Sequence, residues 1–265
     1  MSKKIASMIK ATMVAVVNDI HFDLHDVALW LAFKTWAKAV KPDKIVILGD
    51  FLDLGMLSRF ALGKDDPLFV IPQIRCFVEE MAELVKYTKE LIVVEGNHDE
   101  RWDKYILGGD KSFALKGALG LTLKEQCYAQ GLTTKIKWVR EDVLTRGVKC
   151  GPYLLRHGHK QARGFGGGGK HLAAARLAST MGENVIFGHH HKAQMFCQTS
   201  GGRTAIAIAN PCMTNNHDYD PDPNWQRGFT ILNLYGPGNK YATPNLIVAN
   251  DGHFAYHGVV YDGNI

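Results

Sequence analysis

No stretch of this chain approaches the roughly 20 consecutive apolar residues that a membrane-spanning helix needs, so the sequence predicts no membrane association. Lys3 and Lys4 precede an apolar stretch in the manner of a secretion signal. Lys10 interrupts it, however, and MVAVV (13–17) runs straight into NDIHFD, where cleavage would remove a core strand. Cysteine is sparse and scattered: Cys76, Cys127, Cys150, Cys197 and Cys212 are odd in number and form no CxxC pair. That argues against both a disulfide framework and a thiolate zinc site. It favours a reducing, cytoplasmic setting in which each thiol is a small hydrophobe. Lys and Arg form no dense block, and aromatic residues do not alternate with basic ones, so nothing demands nucleic acid as a partner. The net charge of +5 tolerates an anionic substrate without requiring one. With neither an internal repeat nor a Pro/Ser-rich linker, residues 1–265 are read as a single domain.

What is present is an alternation of short apolar runs with longer helical patterns, the mark of a layered α/β sheet. MVAVV leads to an amphipathic stretch at 27–40 that ends at Lys41-Pro42, and KIVIL (44–48) follows. A helical segment spans about 70–89, LIVVE (91–95) is the third apolar run, a further helix is expected near 112–129, and TTKIKWV (133–139) reads as a strand. YLLR (153–156) and NVIF (184–187) flank a helix-rich segment at 170–180. From residue 204 onward TAIAIA, GFTILNLY, LIVA and FAYHGVVYD are strand-like, and they are expected to form a second, largely antiparallel sheet.

Polar residues follow the apolar runs in a consistent way. Asp19 and His21 come after the first, Asp50 and Asp53 (in GDFLD) after the second, and Asn97, His98 and Asp99 (in GNHD) after the third. YLLR is followed by His157 and His159, and NVIF by GHHH, which holds His189, His190 and His191. Each fragment alone reads as turn or cap chemistry. Five of them at the carboxyl ends of strands, all built from imidazole, carboxylate and amide, fit one converging site better.

This ordered set, spanning residues 19 to 191, resembles the calcineurin-like metallophosphoesterase superfamily, of the type found in phage and bacterial genomes. The resemblance implies a four-layer αββα sandwich with two central mixed β-sheets and a dinuclear metal centre at the strand ends. One ion would be held by Asp19, His21, Asp50 and His191, the other by Asp50, Asn97, His157 and His189, with Asp50 bridging and His190 pointing away. Mixed carboxylate and imidazole donors suit Mn²⁺ best, with Fe, Zn, Ni or Co as alternatives. A pair of divalent ions generates a nucleophile from water and clamps both sides of an in-line displacement. By the same resemblance His98 protonates the leaving oxygen and Asp53 orients it. Asp99 and His159 would hold ligand tautomers, or His159 would touch substrate. The serine/threonine protein phosphatases carry an arginine after the second acid of GDxxD; here Leu54 stands there, which argues against phosphoprotein substrates and leaves Arg59, Arg101 or Arg163 as replacements.

GFGGGGKH (164–171) falls one residue short of a phosphate-cradling P-loop, because His171 replaces the hydroxyl that would hold magnesium. It is read as a substrate-side loop with Lys160, Arg163 and Lys170 as anion contacts. His217, Tyr219, Trp225 and Arg227 are further pocket candidates, with Trp225 able to stack on a base. The expected activity is hydrolysis of phosphate esters, diesters of nucleotide or nucleic-acid type in particular. A broad phosphomonoesterase and a non-catalytic metal-binding module on the same fold are the alternatives.

Overall fold

The computed structural model describes residues 10–58, 69–108, 120–141, 146–160, 173–215 and 224–264. Strand β1 (Thr12–Val17) leads to helix α1 (Val27–Val40), whose N-cap Asp26 accepts from Leu29 N at 3.0 Å. The helix stops at Lys41, which is left-handed just ahead of Pro42. Then follow β2 (Lys44–Leu48), α2 (Val70–Leu84), β3 (Glu90–Val94), α3 (Glu100–Leu107), α4 (Leu123–Ala129) and β4 (Ile136–Val139). Thr122 and Glu125 close a reciprocal capping box at the start of α4. The second half runs β5 (Val148–Cys150), β6 (Tyr153–Arg156), α5 (Ala173–Met181), β7 (Asn184–Phe187), β8 (Gln194–Ser200) and β9 (Arg203–Ala209). It ends with β10 (Gly228–Tyr235), β11 (Tyr241–Val248), β12 (His253–Tyr256) and β13 (Val259–Asp262). No helix among the described residues is long and apolar enough to cross a membrane.

The strands form two mixed sheets, ordered β11-β10-β1-β2-β3-β4 and β5-β6-β7-β9-β8, and a β12-β13 hairpin. Strands β1 to β4 are parallel in the first, and β6, β7 and β9 are parallel in the second. Side-chain alternation along each strand divides the core into layers. Ala15, Val17, Ile45, Ile47, Leu91 and Val93 face outward against Trp30, Phe33 and Trp36 of α1 and Phe77 and Met81 of α2. Their neighbours Val14, Val16, Val46, Leu48, Ile92 and Val94 face inward, against Leu155, Ile186 and Ile208 of the second sheet. Val185 and Phe187 turn the other way, to Ala174 and Leu177 of α5. The result is helix, sheet, sheet, helix. Because these strands are buried on both faces, they read in sequence as continuous apolar runs.

The tail departs from the expected separate sheet. β9 joins the second sheet beside β7, while β10 extends the first sheet antiparallel to β1 and β11 continues it antiparallel to β10. The reason lies in β10 itself, which is buried along residues 228–232 on both faces and so needs a place between two cores. Three elements were not anticipated: β5 is only three residues long, β8 is a mostly exposed edge strand, and α3 is mainly polar. The helix expected around 70–89 ends at Leu84, and of the one expected near 112–129 the described part starts at Leu123 behind its N-cap Thr122, residues 112–119 lying outside the described residues.

Candidate metal centre

The carboxyl ends of β1, β2 and β3 lie side by side in one sheet, and those of β6 and β7 in the other, so five loops meet at one rim of the sandwich. The first two loops are tied by their backbones: Asp19 N donates to Gly49 O at 3.0 Å, and Ile20 N and His21 N donate to Asp50 O at 2.9 and 3.0 Å. Asp19, His21, Asp50, His189 and His191 all sit in the left-handed region, with φ of 49°, 50°, 50°, 69° and 54°. Asp and His tolerate that region better than most residues, yet each costs on the order of 1–3 kcal/mol. Burying a single Val or Leu contributes a comparable amount, about 1.5–3 kcal/mol. The doubly buried strands on either side therefore hold these loops in place.

Glycines make the convergence possible. A Cβ on Gly188 would lie 2.8 Å from Asp19 Oδ2, and one on Gly49 would lie 2.5 Å from His157 Cγ. One on Gly96 would collide with both the carboxylate and the backbone N of Asp50. The glycines of GD, GN and GH thus leave room for a donor arriving from another loop.

Two donor groups result, Asp19 with His21 and His191, and Asp50 with His157 and His189, each with ligand atoms within 4.8 Å of one another. His21 and Asp50 also share a group with His98, which links the two. Asn97 Oδ1 lies 3.0 Å from His157 Nε2, and Asp50 Oδ2 lies 3.1 Å from the same nitrogen. The residues fit a cation. Asp19 Oδ2 accepts from His189 N at 2.8 Å and from Asn18 Nδ2, whereas its buried Oδ1 meets, among the described residues, no donor nearer than His191 Nε2 at 3.2 Å. His157 directs Nδ1 at Leu48 O, 3.0 Å away, so Nε2 is the nitrogen turned to the site. His190, by contrast, packs its ring on Phe187 and belongs to neither group.

The charges point the same way. Burial would raise the carboxyl of Asp50, but His157, His98 and His21 outweigh it and hold it well below the usual range. Asp19 is likewise lowered against its burial, chiefly by His191. His157 is pushed up to about 10 by Asp50 and Asp19 despite its burial, while burial and His157 push His189 down to about 3. Two buried carboxylates need positive charge. The upward push on His157 is their pull on a proton, and a bound cation would supply that charge instead, with release of protons.

Beside these groups, Asp53 Oδ1 lies 3.0 Å from His21 Nδ1 and 3.2 Å from His98 Nδ1. The carboxylate is shared, so it orients His21 as well as His98, for which alone the sequence assigned it. His98 is held three further ways: its N donates to Asp50 Oδ1 at 2.8 Å, its Nδ1 lies 2.8 Å from Asp53 O, and its Nε2 lies 3.0 Å from Arg101 Nη2. Asp99 accepts from Leu52 N at 3.0 Å and Gly96 N at 2.7 Å and braces the GD and GN loops. Its carboxyl is raised by burial and by Asp50.

A family model described as calcineurin-like phosphoesterase matches residues 12–193, a segment that contains every donor named above. This chain belongs to the calcineurin-like phosphoesterase family. Gene 54 protein of Mycobacterium phage L5 is 23% identical over 270 residues, covering 94% of this chain and 98% of that protein. Among solved structures, wild-type Vps29 complexed with Zn²⁺ from Entamoeba histolytica is 17% identical with a TM-score of 0.45, covering 95% of this chain and 99% of that one. The nuclease MPE of Pseudomonas putida is 13% identical with a TM-score of 0.36, covering 94% and 86%.

The remaining candidates divide. Arg59, Arg163, Lys170, His217 and Tyr219 lie outside the described residues. His159 does lie near the rim, its ring 5.3 Å from that of His157, but its Nε2 faces Glu100 Oε1 at 3.4 Å. Lys160 pairs with the same Glu100 oxygen at 2.6 Å, and Arg227 is taken up by Asp26 and Thr214 O. Trp225 packs edge-on against His191, ring centroids 4.3 Å apart, and so braces that imidazole in this calcineurin-like phosphoesterase. Leu54 is fully buried in the helix-side core, where a charged clamp could not sit. Two supporting groups were missed. Buried Asn18 bonds Asp19 and is itself held by Asn210, and Glu141 accepts from His157 N. A polar residue directly after an apolar run, as in VVND and IAN, was the available signal for the first; Glu141 carries none.

Proposed function

We propose that this chain is a phosphoesterase working with two divalent ions, Mn²⁺ foremost, and that its substrates are phosphodiesters of nucleotide or nucleic-acid type. The observation that carries this is the two donor groups, Asp19 with His21 and His191 and Asp50 with His157 and His189, linked through the group that His21 and Asp50 form with His98. Asp19, His21, Asp50 and His191 would hold one ion, and Asp50, Asn97, His157 and His189 the other. Ions so held lower the pKa of water and neutralise charge developing on phosphoryl oxygens. The chain's own residues do the rest. Asp53 fixes the Nδ1 side of both His21 and His98, so each presents Nε2 to the site. His98 then hands a proton to the departing oxygen. Asp19 and Asp50, anchored by backbone N–H donors from other loops, keep the donors from spreading when charge changes. The net charge of +5 suits a polyanionic ligand.

The test is a panel of phosphomonoesters and diesters assayed on chelated and Mn²⁺-reloaded protein, with bound metal counted by elemental analysis. Activity should vanish on chelation and return with Mn²⁺ at least as well as with Mg²⁺. Full activity in metal-free protein, or metal-loaded protein inert on every ester, would overturn the reading.

A further inference from the structure

Arg101, in the first turn of α3, is pinned at two points of the site. Its Nη1 donates to Asp53 O at 2.9 Å, and its Nη2 lies 3.0 Å from His98 Nε2. Arginine offers only donors, so the His98 contact requires a lone pair on Nε2 and the ring proton on Nδ1, where Asp53 O lies 2.8 Å away. That arrangement is at odds with His98 as a proton donor through Nε2. A guanidinium covers the atom that should face the leaving oxygen.

The neighbouring cations are committed elsewhere. Arg140 pairs with Asp103 and, at 3.4 Å, with Glu95; Lys160 pairs with Glu100; Arg156 faces Glu141. Arg101 has no carboxylate partner among the described residues, and it is half-buried. Among the described residues its guanidinium meets a backbone carbonyl and an imidazole nitrogen. Because the two nitrogens lie only 3.0 Å apart, one phosphoryl oxygen can sit within hydrogen-bond reach of both His98 Nε2 and Nη2. A guanidinium bond to an anionic oxygen is charge-assisted and roughly twice as strong as one to a neutral acceptor.

We propose that Arg101 binds a non-bridging oxygen of the substrate's phosphoryl group, giving up its contact with His98 Nε2 when it does so. The inference rests on the phosphoesterase reading of the site and names the cation that grips the anion. Asp53 O is the pivot: the Nη1 bond can persist while Nη2 changes partner. Binding of the phosphoryl group then uncovers the Nε2 lone pair, which can take up from water the proton that it passes to the leaving oxygen, so His98 is free to act only when substrate is present.

The experiment uses Mn²⁺-loaded full-length protein, inorganic phosphate as the probe in isothermal titration calorimetry, and bis-p-nitrophenyl phosphate for kinetics. Arg101→Ala and Arg101→Gln should keep their metal yet bind phosphate about 10- to 100-fold more weakly, the worth of one hydrogen bond to a charged group. KM for the diester should rise with them, and Arg101→Lys should recover part of the phosphate affinity. Wild-type phosphate affinity in either neutral variant, with metal retained, would overturn the proposal. So would loss of metal in Ala, Gln and Lys variants alike, which would make Arg101 a structural prop. A wild-type protein that holds metal but neither binds phosphate nor cleaves any ester is a different failure, that of the phosphoesterase reading itself.

Discussion

Gly96→Ala adds a single methyl group at the floor of the site. Its Cβ would lie 2.9 Å from Asp50 Cγ, and nearer still to Asp50 Oδ1 and the Asp50 backbone N. Ordinary carbon contacts are about 3.5–4.0 Å, so the carboxylate must retreat by roughly 0.5–1 Å or the backbone must move with it. Gly96 has no positive φ, so the perturbation is steric alone. Overpacking of this kind costs about 1–3 kcal/mol, or a fall in Tm of roughly 2–12 °C for a chain of this size, measured in chelator. Metal ligands are held within about 0.2 Å of their proper distance, so Asp50 would be carried out of range of both ions. Elemental analysis after gel filtration should show both ions lost or much depleted. Added Mn²⁺ should no longer raise Tm, and activity should drop by at least about 10²-fold. Gly182→Ala is the control, because its φ is +62° and nothing lies within 4 Å of its Cβ. It should cost about 1–2 kcal/mol from backbone strain and leave metal content alone. A Gly96→Ala protein that holds its ions and responds to Mn²⁺ like wild type would refute the idea that this glycine makes room for a shared carboxylate.

Asp53→Ala should weaken metal binding about 10- to 100-fold, because the carboxylate holds His21 Nδ1 as well as His98, whereas His98→Ala should retain its ions; equilibrium dialysis of both variants decides it. His98→Ala should lower kcat about 10²–10⁴-fold on alkyl esters and clearly less on p-nitrophenyl esters, whose leaving group departs unprotonated. Equal losses on both would rule out His98 as the acid. His191→Ala should strip metal and His190→Ala should not, since only the former faces Asp19; the reverse result would mean that the register of GHHH is wrong.

The convergence of these side chains was legible in sequence because each lies just after a strand that is buried on both faces and therefore stands out as an apolar run. A parallel sheet carries such positions to one rim, so order along the chain was enough to bring Asp19, Asp50, Asn97, His157 and His189 together. Distances between loops are a different matter. Nothing in GDFLD tells that Asp53 Oδ1 is divided between His21 and His98, and nothing in GNHDER tells that Arg101 reaches back to His98. The allotment of the tail was hidden for a related reason: an antiparallel strand can join either sheet, and the both-sided burial of β10 had to decide. The motif glycines lie between these cases. GD, GN and GH read in sequence as ordinary turns, and Gly49, with φ of +87°, is one. Gly96 and Gly188 have no such backbone need, and what excludes a side chain there is a carboxylate held on another loop, Asp50 for the one and Asp19 for the other. At those two positions the missing Cβ is part of the binding geometry, which is why a methyl group should act there as a loss of metal rather than a strain on a turn.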